Sequence, residues 1–234
     1  SLAYHVTSNI DIGAGESLDI EAGVVLKFAL NRGINNYGLL TALGGSTADS
    51  LIYFTSIDDD NAPAPLGQDT NTNGNDTFPD QADWGGVRFY DSSDDASILR
   101  HVLVRFAGYN GASYGAVYCE NASPEIVGCD LTSAYYGVKC VGASDPLLSD
   151  TSINAMQDVP IAIEIGSDPV FDNLVFESTS DNGYDAIGIL GGTLAGSNTL
   201  RIRGAQLGAT PIDNLVYILL SDITVGVGGT LIID

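Results

Sequence analysis

An all-β solenoid, a parallel β-helix of stacked short coils, is the fold this sequence predicts, and three observations carry the prediction. Pro124, Pro146 and Pro169 stand 22 and 23 residues apart, each inside a matching segment: Ala122-Ser123-Pro124-Glu125-Ile126, Ser144-Asp145-Pro146-Leu147-Leu148 and Ser167-Asp168-Pro169-Val170-Phe171. Between these marks lie alternating apolar segments of three to five residues, separated by Gly, Asn, Asp and Pro, with no helical spacing. A period of ~22 residues is too short for a self-contained domain but suits one turn of a solenoid. The composition agrees, with 44% apolar residues and 28 Gly favouring strands and tight turns over helices or disorder.

In such a fold each coil contributes short strands whose inward side chains stack on the same column of the next coil, ~4.8 Å along the axis. Downstream of the prolines the columns are Ile126, Leu148 and Phe171, then Leu131, Ile153 and Phe176. Upstream, the same alignment places Ala116 with Val138 and Ile161, and Tyr118 with Cys140 and Ile163. About 8 to 9 such coils fit the chain, in a single domain spanning 1–234, and give a rise of roughly 40 Å.

The two ends repeat each other. Residues 4–21 and 217–234 share Tyr, Ser, Ile, two Gly, Leu and Ile at a constant offset of 213 residues, so the end of the chain restarts its beginning. A head-to-tail array accounts for this, and the strands that would meet at its junctions carry Ile10, Ile12, Leu18 and Ile20 at the head and Ile223, Val225, Leu231 and Ile233 at the tail. The alternative is that both segments merely satisfy one coil pattern; the central coils, however, lack the Gly-x-Gly-x-x-Leu-x-Ile signature.

Four stretches carry a family resemblance: Gly15 to Phe28, Gly38-Leu39-Leu40-Thr41-Ala42-Leu43-Gly44, Leu51-Ile52-Tyr53-Phe54-Thr55-Ser56 and Asp83-Trp84-Gly85-Gly86-Val87-Arg88-Phe89. In this order they resemble the right-handed parallel β-helix modules of large bacterial and archaeal cell-surface, adhesin-like proteins. The resemblance covers most of the chain and implies a right-handed coil, secretion, surface display and a multi-copy context. It implies no chemistry.

Residues 57–83 differ in composition from the coils around them. The segment is acidic, bends at Pro63 and Pro65, and sits in a stretch from Gly33 to Val87 without Lys or Arg. Asp69, Asn71, Asn73, Gly74 and Asp80, with Asn75 between, match a Ca²⁺-loop pattern in which alternate oxygens converge on a hard cation and a Gly permits the turn. Asp80 is a shorter final acid than the pattern expects, Pro79 precedes it, and no apolar helices flank the loop. Asp58, Asp59, Asp60, Asp76 and Asp83 are candidate additional ligands, since so many carboxylates repel one another unless a cation neutralises them. Three readings stand: a Ca²⁺ site, a solvated loop indifferent to cations, and a partner-binding loop.

Composition also excludes function classes. With 30 acidic and 8 basic residues the formal charge is −22, the wrong sign for nucleic acid or an anionic membrane. No apolar run approaches the ~18 residues of a membrane span, so a soluble chain is expected. The first residues lack the basic start and apolar block of a secretion signal and read as a cut within a larger or processed protein. Cys119, Cys129 and Cys140 are too few and too odd in number for a disulfide scaffold; Cys129 and Cys140 fall at apolar positions of the repeat, which favours small core hydrophobes over a reactive or bridged role.

No catalytic constellation is visible, and the chain is not expected to be an enzyme. Polysaccharide-cleaving β-helices need paired carboxyls or a basic groove; this chain has no Gly-His-Gly, and Arg201-Ile202-Arg203 reads as a solvated strand face. His101, beside Arg100 and near Arg105, is a general base by residue type, against the simpler reading of an exposed strand residue. Tyr109, Tyr114, Tyr118, Tyr135 and Tyr136 cluster in sequence and offer either sugar stacking or packing. Trp84 is expected to anchor the strand after the acidic loop. The expectation that follows is a structural repeat unit of an extracellular fibre, stalk or adhesin, partnered head-to-tail by copies of itself and stabilised by Ca²⁺. A carbohydrate-binding or carbohydrate-cleaving protein is the alternative, with glycans as partners.

Overall fold

Parallel backbone pairing between segments far apart in sequence organises the chain. The computed structural model describes residues 3–62, 69, 71–73, 76–109, 111–176 and 182–234. Among them the only helical element is one short 3₁₀ turn, Gly111–Ser113.

The strands fall mainly into three stacked sheets, and the chain visits them in rotation. The first sheet opens with Ala3–Val6, Val25–Phe28, Ile52–Ser56 and Val102–Arg105, the second with Ile10–Ile12, Ile34–Asn36, Val87–Phe89 and Val117–Glu120, the third with Ser17–Glu21, Leu39–Leu43, Ile98–Arg100 and Glu125–Val127. Nearly every pairing is parallel, as a parallel solenoid requires; the one antiparallel pair among the described residues joins Ala205–Leu207 to Thr210–Ile212 at the end of the first sheet. In the last two circuits the third sheet gives way to two pairs, Gly192–Leu194 with Ile223–Val225 and Ser197–Leu200 with Thr230–Ile233.

Inward side chains stack as like on like. Ile126 lies opposite Leu148, which lies opposite Phe171, and Leu131 lies opposite Ile153. One continuous apolar core runs from Ile12 to Leu215 and takes in all three cysteines, which are free and buried. Trp84 is fully buried, stacks on Phe28 at 4.3 Å between centroids, and donates its indole N–H to the Arg105 carbonyl at 2.7 Å. It anchors the chain's return from the acidic segment.

The register differs from the sequence alignment in one coil. Val117, not Ala116, lies opposite Val138, and Cys119, not Tyr118, lies opposite Cys140. The next coil keeps the expected columns, Val138 with Ile161 and Cys140 with Ile163. Alignment on the prolines transferred one extra corner residue into the strand upstream: Glu120 lies opposite Val141 while the Ala122 N–H bonds the Ser144 hydroxyl, so the two residues Gly142 and Ala143 stand where the previous coil has Asn121 alone. A slip of one residue reverses the face of every side chain in a strand, so Cys119 is interior and Tyr118 faces outward.

Corners are made by residues in the left-handed region, stacked like the strands. Between the third and first sheets His101, Gly128, Asp150 and Asn173 have φ of 49°, 60°, 49° and 57°. Each of the first three passes its N–H to the next coil's carbonyl, at Val127, Ser149 and Asp172, and the Asn173 amide donates to the Asp150 carboxylate at 2.7 Å. Gly, Asn and Asp adopt this conformation at little cost, which explains their recurrence between strands.

Leu148, fully buried between its two column neighbours, tests the stacking. Leu148→Ala is expected to lower the unfolding free energy in urea by about 2–5 kcal/mol. Val170→Ala, on the outward-facing and 53% exposed neighbour in the same sheet, is expected to stay within about 0.5 kcal/mol of the natural protein.

Candidate functional site

The acidic segment folds over the outer face of the first sheet. There Val25, Tyr53 and Leu103 face outward in one row, and Lys27 and Thr55 in the next with Arg105 beyond. Ala62 packs on Val25 and Tyr53, so these strands are buried on both faces. Lys27 is fully buried; desolvation lowers its pKa, while Asp59, Asp60 and Asp69 pull it upward. Asp59, 1% exposed, accepts from the Arg105 guanidinium at 2.7 Å and from the Thr55 hydroxyl at 2.6 Å. The stretch without Lys or Arg is therefore supplied with cations by the strands on either side. Removing one member of such a buried pair costs about 3–5 kcal/mol.

The residues matching the Ca²⁺ pattern divide into two groups. Asn71 and Asn73 both donate their amides to the Thr77 hydroxyl, at 3.3 and 2.5 Å, and Asp58 accepts from Asn71 and Thr77 at 2.7 Å each. Exposed Asp69 accepts from the Asn73 N–H at 3.3 Å, and the Asn73 carbonyl accepts from the N–H of exposed Asp76 at 3.3 Å. Asp80 belongs elsewhere: its carboxylate accepts from the Gln81 N–H, and its own N–H donates to Asp83, which also accepts from Ser56. Asn75 and Gly74 lie outside the described residues. Thr77 was missed from the sequence although it holds the ninth place of the same alternating pattern.

Three acceptor oxygens in this segment, Asp60 Oδ1, Asn71 Oδ1 and Asn73 Oδ1, are buried without a hydrogen-bond partner. A groove of about 270 Å³ beside them is lined by Asp58, Asp60, Asn61, Thr77, Phe78 and Pro79. Among the described residues no group of three or more His, Cys, Asp or Glu is placed to hold a metal. Burial raises the pKa of Asp60, with Asp69 adding to it, and burial raises that of Asp83 against its hydrogen bonds from Asp80 and Ser56.

The tyrosines separate into two places. Tyr37 and Tyr90 stack at 4.6 Å, Tyr90 meets Tyr118 edge-on at 6.1 Å, Tyr118 meets Tyr114 at 5.1 Å, and Arg88 lies 4.4 Å over the Tyr114 ring. This row sits outside the second sheet; Tyr37 and Tyr90 are far from the others in sequence and were missed. Burial pushes the Tyr118 phenol well up, with Glu120 adding to the rise. Tyr135 and Tyr136 pack edge-on against each other, with Tyr136 buried, and Tyr109 stands apart at the Gly-rich turn.

Two sequence readings are corrected. His101 is a half-buried corner residue, not an exposed strand residue, and its Nδ1 lies 3.3 Å from the Gly128 carbonyl. Arg201 and Arg203 lie outside any strand: Arg201 is solvated, at 63% side-chain exposure, and pairs with Asp168, whereas Arg203 is largely buried, pairs with the same Asp168 and bonds the Tyr217 hydroxyl.

At the ends, Ile10 and Leu18 are half-buried and Ile12 and Ile20 buried. Ile223 and Leu231 are half-buried, whereas Val225 and Ile233 are exposed. Compared with known proteins, the chain matches no family model, no curated protein and no solved structure.

Because the folded-state pKa values of Asp60 and Asp83 lie above the ordinary 3.8, the native state holds more protons than the unfolded chain between that value and the raised ones. Their contribution to stability therefore falls as pH rises through this window. In metal-free buffer the Asp60→Asn, Asp83→Asn double variant is expected to show a smaller fall in urea midpoint over the same pH range than the natural protein. Parallel curves would remove the assignment.

Proposed function

We propose that the chain is a structural repeat unit of an extracellular fibre, stalk or adhesin, wound as a right-handed parallel β-helix and stacked end to end. The observation that carries this reading is the open strand edge at both ends. At the head, Ala3–Val6, Ile10–Ile12 and Ser17–Glu21 each end a sheet. At the tail, Tyr217–Leu219, Ile223–Val225 and Thr230–Ile233 do the same. Unpaired N–H and C=O groups of that kind template pairing with another strand. The repeat of residues 4–21 in 217–234 makes a copy of this chain the natural partner. The right-handed sense follows from the twist of the strands, which favours that hand in parallel crossovers.

The role needs stiffness and solubility, and no catalytic group. Continuous inter-coil ladders supply the first. A formal charge of −22 supplies the second by repulsion between neighbouring rods. Ca²⁺ belongs to this reading as an ordering ion for the acidic segment, supported by the three unpartnered oxygens beside Asp58 and Thr77. A carbohydrate-binding role is the second reading, favoured by the tyrosine row; its rings pack largely against one another, which leaves less flat surface for a sugar.

Electron microscopy of the native material is expected to show thin rods with an axial repeat near about 40 Å, set by eight coils at ~4.8 Å. Globular particles of complete chains would refute the end-to-end reading. Separately, the melting temperature is expected to be higher in millimolar Ca²⁺ than in EDTA, and equal curves would withdraw the metal. Binding to a neutral glycan that disappears in Tyr37→Ala with Tyr90→Ala would favour the second reading.

A further inference from the structure

The head and tail correspond in conformation as well as in sequence. At the head the Glu16 N–H donates to the Gly13 carbonyl at 2.9 Å, across a turn with Gly15 at φ 80°. At the tail the Gly229 N–H donates to the Gly226 carbonyl at 3.0 Å, across a turn with Gly228 at φ 81°. Strands flank both turns at the same spacing, Ile10–Ile12 and Ser17–Glu21 at one end, Ile223–Val225 and Thr230–Ile233 at the other.

The two coils differ in cover. Ile34–Asn36 and Leu39–Leu43 lie along the head coil, and Ile12 and Ile20 are 4% and 7% exposed. Their tail counterparts Val225 and Ile233 are 48% and 71% exposed. These are inward positions, because Val225 continues the column of buried Leu194 and Ile233 that of buried Leu200. The tail is thus a head coil without the layer that normally completes it.

We infer that the tail coil takes the place of the head coil of a following copy of this chain, so that segment 22–43 of that copy pairs with 217–234 in the register with which it pairs with 4–21 here. In the head, Tyr37 and Leu39 donate their N–H groups to the Ile12 and Glu16 carbonyls at 2.8 and 2.9 Å. A side chain at Gly38 would lie 2.3 Å from the Glu16 oxygen, so the turn admits only glycine there. On the tail the same donors meet the carbonyls of Val225 and Gly229. Leu40 then continues the column of Leu231, and Ala42 covers Ile233.

The geometry fixes the relation between units. The head coil begins in the first sheet, but its tail counterpart Tyr217–Leu219 ends the second. The first sheet itself ends in the antiparallel strand Thr210–Ile212, whose Pro211 has no N–H to offer a neighbour. The first sheet of the second copy therefore runs on from the second sheet of this one, and successive units rotate by one face.

This inference rests on the end-to-end reading, and its test separates the two. A fused chain, residues 1–234 followed directly by 22–234, receives Ile232→Cys in the first copy and Thr41→Cys in the second. In the inferred register these are outward partners on adjacent parallel strands, ~4.8 Å apart and within disulfide reach. The expected result is complete cross-linking on mild oxidation, with none for Ile233→Cys paired with Thr41→Cys, since that side chain faces inward. A reduced pair in a fused chain whose circular dichroism is that of two folded copies would overturn the inference. A second variant is independent of the fusion: one full-length chain with residues 4–21 replaced by the sequence of 217–234. It is expected to melt cooperatively within a few degrees of the natural protein, and loss of cooperative melting would also overturn the inference. Rods in the native material without the cross-link would remove this register and leave the fibre reading standing. The cross-link without rods would do the reverse.

Discussion

Among the described residues every strand but Thr210–Ile212, which folds back on Ala205–Leu207, pairs its backbone with another coil, and that obligation governs the rest of the structure. Buried N–H and C=O groups must be paired, and three-residue strands cannot pair within themselves. The Ile126 strand needs the Leu148 strand, which needs the Phe171 strand. Stability therefore depends on length kept in register, and a coil at the end of the stack holds only half of its partners. The left-handed corners serve the same demand: His101, Asp150 and Asn173 accept an uncommon backbone conformation so that each strand enters above its neighbour.

The outer faces show how this regularity is adapted. Alternation alone would give a solvated outer row on the first sheet, yet Lys27 and Tyr53 are buried there. The acidic segment covers them, with Ala62 supplying the apolar contact and Asp59 the ion pair to Arg105. The same segment keeps buried oxygens at Asp60, Asn71 and Asn73 without partners, a cost that an interior otherwise avoids. On the second sheet the tyrosines solve a related problem differently, by packing their rings on one another across successive coils.

The ends follow from the same constraint. A parallel solenoid has edges wherever it stops, and proteins blunt such edges with Pro, charge or a covering segment. Here the first sheet is closed by the hairpin carrying Pro211, while the strands around Val225 and Ile233 keep their edges and expose apolar side chains that the head coil buries. One end surface thus carries a proline-bearing antiparallel edge beside open apolar ones, and in the proposed stacking that difference gives a direction and a rotation.

Much of this was legible in the sequence because it is written with a short period. The proline spacing exposed the coils, alternation exposed the columns at Leu131 and Leu148, and the 213-residue offset exposed the equivalence of head and tail. The acidic composition of residues 57–83 marked the candidate site, and two residues of its alternating pattern, Asn71 and Asn73, share the Thr77 hydroxyl. The proline alignment put Tyr118 and not Cys119 in the inward column, because the extra residue, within Gly142–Ala143, sits in a corner where no alternation records it. Nor could the sequence reveal that Lys27 and Arg105 are brought against the acidic segment, that Asp80 turns to Asp83, or that Tyr37 joins Tyr90. By itself the sequence determined the repeating interior, since inward residues obey a local period-two rule. Only the tertiary structure decided what covers the outside, because those neighbours come from different coils and are chosen by register, which no local pattern encodes.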